Sequence, residues 1–164
     1  MLFRNLGRNS YPWRQDEAGV AAIEFGLMAP FLMMLVVGTV EVGSGVYQAM
    51  LAQNAAEAGA VYASKHGFDI DGISGAVESA GGITTPACIL AGRCVDAAPA
   101  PSQFCGCPDA AGIVATDCAL NCADGAAPGQ YVRISAQITH TPIISFSGIA
   151  VPGTITRQAI VRMY

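Results

Sequence analysis

Residues 20–40 read VAAIEFGLMAPFLMMLVVGTV, and this stretch decides the fold. At 1.5 Å of rise per helical residue, an apolar run of this length covers the roughly 30 Å of hydrocarbon in a bilayer. From Phe25 to Val37 only Gly26 and Pro30 interrupt the apolar side chains, so the helix is greasy on every side. A core helix of a soluble protein keeps a polar face; one without such a face is expected in lipid. The single interior charge is Glu24.

The flanks orient the segment. The leader, residues 1–19, carries Arg4, Arg8 and Arg14, whereas the segment after the apolar run begins with Glu41 and holds few bases. The positive-inside tendency keeps that leader in the cytoplasm and exports the carboxy-terminal part, which places the chain in the inner (cytoplasmic) membrane as a single-pass protein. A cleaved secretory signal is the competing reading. The apolar run exceeds the usual h-region of about 7–15 residues, the leader ahead of it is long, and Asp16 and Glu17 are out of place in such a signal.

Glu24 needs compensation. A carboxylate at the bilayer centre costs roughly 2.5–3.5 kcal/mol on insertion scales, less near a helix end. A cut after Gly19 would leave a new amine on Val20, one helical turn from Glu24 at i and i+4, at the positive end of the helix dipole. The carboxylate then pairs with an ammonium in its own chain or in a neighbour. In an apolar setting an unpaired member is costly, so docking favours the register that joins the two charges.

The junction Gly19-Val20-Ala21-Ala22-Ile23-Glu24-Phe25 resembles prepilins, and its short G-x-x-x-x-E-F form looks like that of the Flp/Tad pilus system. The whole stretch from Gly19 to Gly43, including Ala29-Pro30 and the step from Gly38 to Glu41, is similar to TadE-like proteins. The resemblance implies prepilin peptidase processing between Gly19 and Val20, subunit registration by Glu24 and the aromatic Phe25, and partners among other pilin-like subunits and the Tad assembly machinery. It also implies a minor pilin-like subunit that assembles or primes a Flp-type (Tad) type IV pilus, with adhesion and surface colonisation as the outcome. The chain departs from the family at Glu57 and Val61, where arginines are common. A type II secretion pseudopilin would share Glu24 but usually has phenylalanine directly after the cut, where this chain has Val20.

Composition bounds the rest. At 164 residues and 16.8 kDa there is room for an anchor and one modest domain. The net charge of −4 leaves no basic surface for phosphates, so nucleic-acid binding has no electrostatic support. After the anchor, Val46, Tyr47, Met50, Leu51, Asn54, Ala58, Val61 and Tyr62 recur at helical spacing, which predicts an amphipathic extension over 41–65. Its other side is mostly alanine and glutamine, and the small residues Ala55, Ala56, Gly59 and Ala60 are expected to pack against the chain's own domain.

Residues 66–164 form the exported part. Between His66 and Gly129 the composition gives a short helix near residues 73–79 and otherwise turn signals. Cys88, Cys94, Cys105, Cys107, Cys118 and Cys122 are an even set in a loop-rich exported segment, which reads as disulfides, with Cys105 and Cys107 bonded to different partners. Zinc is the competing reading, but the spacing lacks paired C-x2-C knuckles and no histidine lies between these cysteines. Residues 131–140 alternate Val132, Ile134, Ala136 and Ile138 with polar side chains, the period of a half-buried strand, and residues 154–163 predict a second strand across a long hairpin loop. The expected fold is therefore α+β: a long membrane-spanning helix, its amphipathic extension, and a small disulfide-rich domain ending in an antiparallel sheet.

No phosphate loop, metalloprotease motif or dinucleotide fingerprint occurs, and the two histidines have no nucleophile at triad-like spacing. The sequence thus predicts a structural protein, with no enzymatic activity, metal or cofactor. A membrane-anchored, disulfide-rich binding module with no filament role is the remaining alternative.

Overall fold

The computed structural model describes residues 17–82, 94–110, 112–140 and 153–163. Most of the basic leader, Cys88 and the expected hairpin loop at 141–152 lie outside the described residues. The chain divides into two compact units, residues 1–40 and 41–164, and helix α1, Glu17–His66, belongs to both.

In the first unit α1 carries the apolar run, and none of its most apolar window is buried within the chain. Phe25, Phe31 and Met33 are each about two-thirds exposed or more (68%, 71% and 69%). Side chains this apolar, left uncovered by their own chain, need an apolar surrounding from elsewhere. The run is long and apolar enough to cross a membrane once and forms the chain's single-pass anchor. Pro30 sits inside the helix without ending it, as membrane helices tolerate.

The second unit is an α+β domain. It comprises the rest of α1, then α2 (Ile70–Ala80), β1 (Val95–Asp96), β2 (Ser102–Asp109), β3 (Gly112–Thr116), β4 (Gly129–Thr139) and β5 (Thr154–Arg162). Gly67, at φ +85, turns the chain out of α1 and bonds back to the carbonyl of Ala63. Asp69 then caps α2 by accepting from the Gly72 amide. Strand β4 is the centre of the sheet. It pairs antiparallel with β5 from Tyr131↔Arg162 to Thr139↔Thr154, and on its other side with β2 and β1. β3 is added beyond β2.

The core lies between sheet and helices. Ile73 and Val77 of α2, Val95, Val132, Ile134 and Ile138 are fully buried together with Ala52, Ala55, Ala56 and Ala63 of α1. Each such Ile or Val stabilises the domain by about 1.5–3 kcal/mol. The four alternating positions expected on the inner face of β4 are all there. On the other face Phe104 stacks on Tyr131, and the Arg133 guanidinium lies 4.7 Å over the Phe104 ring.

One expectation needs correction. The region before Gly129 is not only turns: β2 and β3 form a hairpin inside a five-stranded sheet. Its strand β2, SQFCGCPD, lacks apolar alternation and contains glycine and proline, so nothing in its pattern announces a strand. Gly106 is forced by closeness, since a Cβ there would stand 2.5 Å from the Ile113 side chain. Pro108 lies past Gly106, where pairing with β4 ends, so its missing N–H breaks no bond to that strand.

In the extension of α1, Val46, Tyr47, Met50 and Val61 of the apolar stripe are all more than half exposed, while Leu51 and Tyr62 pack in part against the core. The alanine and glutamine side is the buried one, as the expectation for Ala55, Ala56 and Gly59 had it. Closeness explains the choice. A Cβ on Gly59 would lie 2.7 Å from Val77 Cγ2 and 2.9 Å from Ile134 Cγ2, so only a face of small residues lets sheet and α2 approach.

Candidate functional site

The expected assembly residues stand on the first turns of α1. Gly19, Val20, Glu24 and Phe25 are all helical and exposed. Val20 and Glu24 share one helix face at i and i+4. Among the described residues a Cβ at Gly19 would meet nothing within 4 Å, so neither their packing nor the backbone conformation calls for glycine there. Glu24 makes no ion pair and no side-chain hydrogen bond among the described residues, although it is surrounded along the helix by apolar side chains.

The cysteines form bridges. Cys105 pairs with Cys118 and Cys107 with Cys122, with Cα separations of 5.2 and 5.6 Å, so the two neighbours in β2 do take different partners. Both bridges fasten β2 to the segment following β3, where turns rather than apolar packing hold the chain. Each closes a short loop and stabilises the domain by about 3 kcal/mol. Cys94 is disulfide-bonded as well.

One polar constellation escaped the sequence reading. His140, 3% exposed at the end of β4, holds Glu41 Oε1 at 2.8 Å through Nε2 and Gln48 Oε1 at 2.7 Å through Nδ1. Glu41 and Gln48 are seven residues apart, two turns of α1, and so project from one face. An acceptor oxygen at both ring nitrogens requires both to carry protons. With the Gln48 amide turned over, its now unpartnered Nε2 would instead donate to Nδ1 of a neutral ring. In either arrangement both ring nitrogens are occupied in holding the end of β4 onto α1, so His140 is a clamp. The only sequence signal was the seven-residue spacing; the histidine is 99 residues from Glu41 and unreadable without the fold.

The departures at Glu57 and Val61 lie on the outer side of α1. Glu57 accepts from Gln53 Nε2 at 2.9 Å, and Val61 is 53% exposed. Neither supports the domain from within.

These features define a class: a helix-anchored protein whose small, disulfide-bridged α+β domain is built directly on the continuation of its anchor. Within that class, residues 19–61 match the family model described as TadE-like protein, in agreement with the resemblance read from Gly19 to Gly43. The match runs along α1 from the junction glycine to Val61 and includes Glu24, Glu41, Gln48 and Gly59. Comparison with curated proteins and with solved structures found no match. A TadE-like segment implies a structural role associated with the Tad pilus system.

Proposed function

We propose that the chain is a minor pilin-like subunit required to assemble or prime a Flp-type pilus, and that it serves adhesion and surface colonisation through that pilus. The observation that carries the reading is the TadE-like match over residues 19–61, which covers Gly19, Glu24 and Phe25. In this reading prepilin peptidase cuts between Gly19 and Val20. The new amine of Val20 on one subunit then meets Glu24 of another within the bilayer, and Phe25 packs beside the pair. An unsatisfied carboxylate in lipid supports such a role, because pairing it is worth more there than at a wet surface. The leader stays cytoplasmic and the α+β domain is exported, which suits its disulfides.

The test is the intact mass of the full chain expressed with and without prepilin peptidase. Loss of residues 1–19 only with the enzyme supports the reading. An intact leader under both conditions would instead favour an anchored binding module outside any filament.

A further inference from the structure

Among the described residues β5 pairs with β4 alone, so one edge of the strand is open. The bonds at the two ends of that pairing fix which residues face β4: the His140 amide donates to the Gly153 carbonyl, and the Met163 amide to the Gln130 carbonyl. Bonded positions alternate along an antiparallel pair, so Ile155, Arg157, Ala159 and Val161 turn their backbone groups toward β4. Thr154, Thr156, Gln158, Ile160 and Arg162 turn theirs outward. We propose that this edge accepts an added strand: an extended segment of another protein, with apolar side chains on the face toward α1 and one carboxylate opposite Arg157.

Three observations within the second unit carry this. The first is the open edge itself, whose row of outward N–H and C=O groups is a template for strand pairing. The second is a groove of about 520 Å3 beside it. Val42, Gly45, Val46 and Ala49 of α1 face residues 154–157 across the groove, and no residue of β4 lines it, so it opens on the side of β5 away from β4. Ile155 is buried on the face toward α1, whereas Val42 and Val46 are more than half exposed. A strand laid about 4.8 Å beyond β5 would bring its inward side chains against these two valines. The third is charge. Arg157 Nη1 donates at 3.3 Å to the Thr156 carbonyl, one of the outward groups, which places the guanidinium at the open edge, and Arg157 makes no ion pair among the described residues. That bond is long and easily exchanged. An incoming backbone N–H takes over the Thr156 carbonyl, and the guanidinium turns to the carboxylate in a stronger, charge-assisted contact. Strand β5, TITRQAIVR, has no carboxylate, so β5 of a second copy would leave Arg157 unmatched.

The inference is independent of cleavage at Gly19 and of any role in a pilus. It is tested by fluorescence anisotropy of the full chain in mild detergent, with a labelled peptide as long as β5. The peptide alternates threonine and valine, with glutamate replacing one inner valine. The wild-type chain should bind it. Arg157→Ala should lower the affinity about tenfold. Exchanging the peptide's glutamate for glutamine should do the same with the wild-type chain and add little with Arg157→Ala. Thr156→Pro removes an outward N–H and no bond to β4, and should also weaken binding. Both positions are exposed, and an unchanged thermal melt shows that the domain still folds. Methylating the peptide nitrogens along its bonding edge leaves the protein untouched and should abolish binding. Absence of binding overturns the proposal, as does equal affinity for wild type, Arg157→Ala and Thr156→Pro. Equal binding of the methylated peptide overturns it too, because a strand needs those N–H groups. A wild-type dimer that Thr156→Pro dissolves also overturns it, and makes the occupant a second copy.

Discussion

The two parts of α1 use the same kinds of residue to opposite ends. In the second unit, Gly59 is held between Val77 and Ile134 so tightly that no side chain fits, and the alanines around it are fully buried. In the first, a Cβ on Gly19, Gly26 or Gly38 would meet nothing within 4 Å among the described residues, and large apolar side chains stand exposed. A small residue in the second unit answers to the chain's own sheet and α2. In the first unit no packing among the described residues calls for one. The contrast separates residues that make the domain from residues the domain does not use.

Substitutions can break that contrast. The largest effect is expected from Gly59→Leu: overpacking against α2 and β4 should cost about 3 kcal/mol or more and collapse the thermal melt of the domain in detergent. Gly26→Leu, the same change in the anchor, should leave the melt where it was. Next comes the paired change Cys107→Ser with Cys122→Ser, which should cost about 3 kcal/mol, read as a lower denaturation midpoint under non-reducing conditions. His140→Ala should cost about 2 kcal/mol, because the buried Gln48 side chain loses its partner and Glu41 loses a charge-assisted hydrogen bond. His140→Gln should recover part of it by offering a donor to Glu41. The smallest effect on stability belongs to Glu24→Ala, for which the melt should shift by less than about 0.5 kcal/mol. Its effect should appear only in co-purification with other pilin-like subunits, and unchanged co-purification would remove Glu24 from the assembly role.

The domain core illustrates how differently two strands can announce themselves. Strand β4 was readable because one apolar residue in two faces the core, which is the periodicity of any half-buried strand. Strand β2 was not, because two disulfides and pairing with β4 and β3 hold Cys105, Gly106 and Cys107 in place, and neither leaves a hydropathy period. The α1 extension was readable for a different reason: periodicity finds two faces of a helix, and small residues mark the one that the sheet can approach closely, as the buried alanines show.

The sequence by itself determined the anchor, its likeness to TadE-like proteins and the presence of a sheet at the carboxy terminus. Those properties reside in contiguous residues, where length, hydropathy and spacing are sufficient. Tertiary structure alone decided which cysteines join and that Glu41, Gln48 and His140 form one clamp. Each of these depends on residues far apart in the chain, whose meeting is set by the packing of small faces and the register of the strands, and no local pattern encodes it.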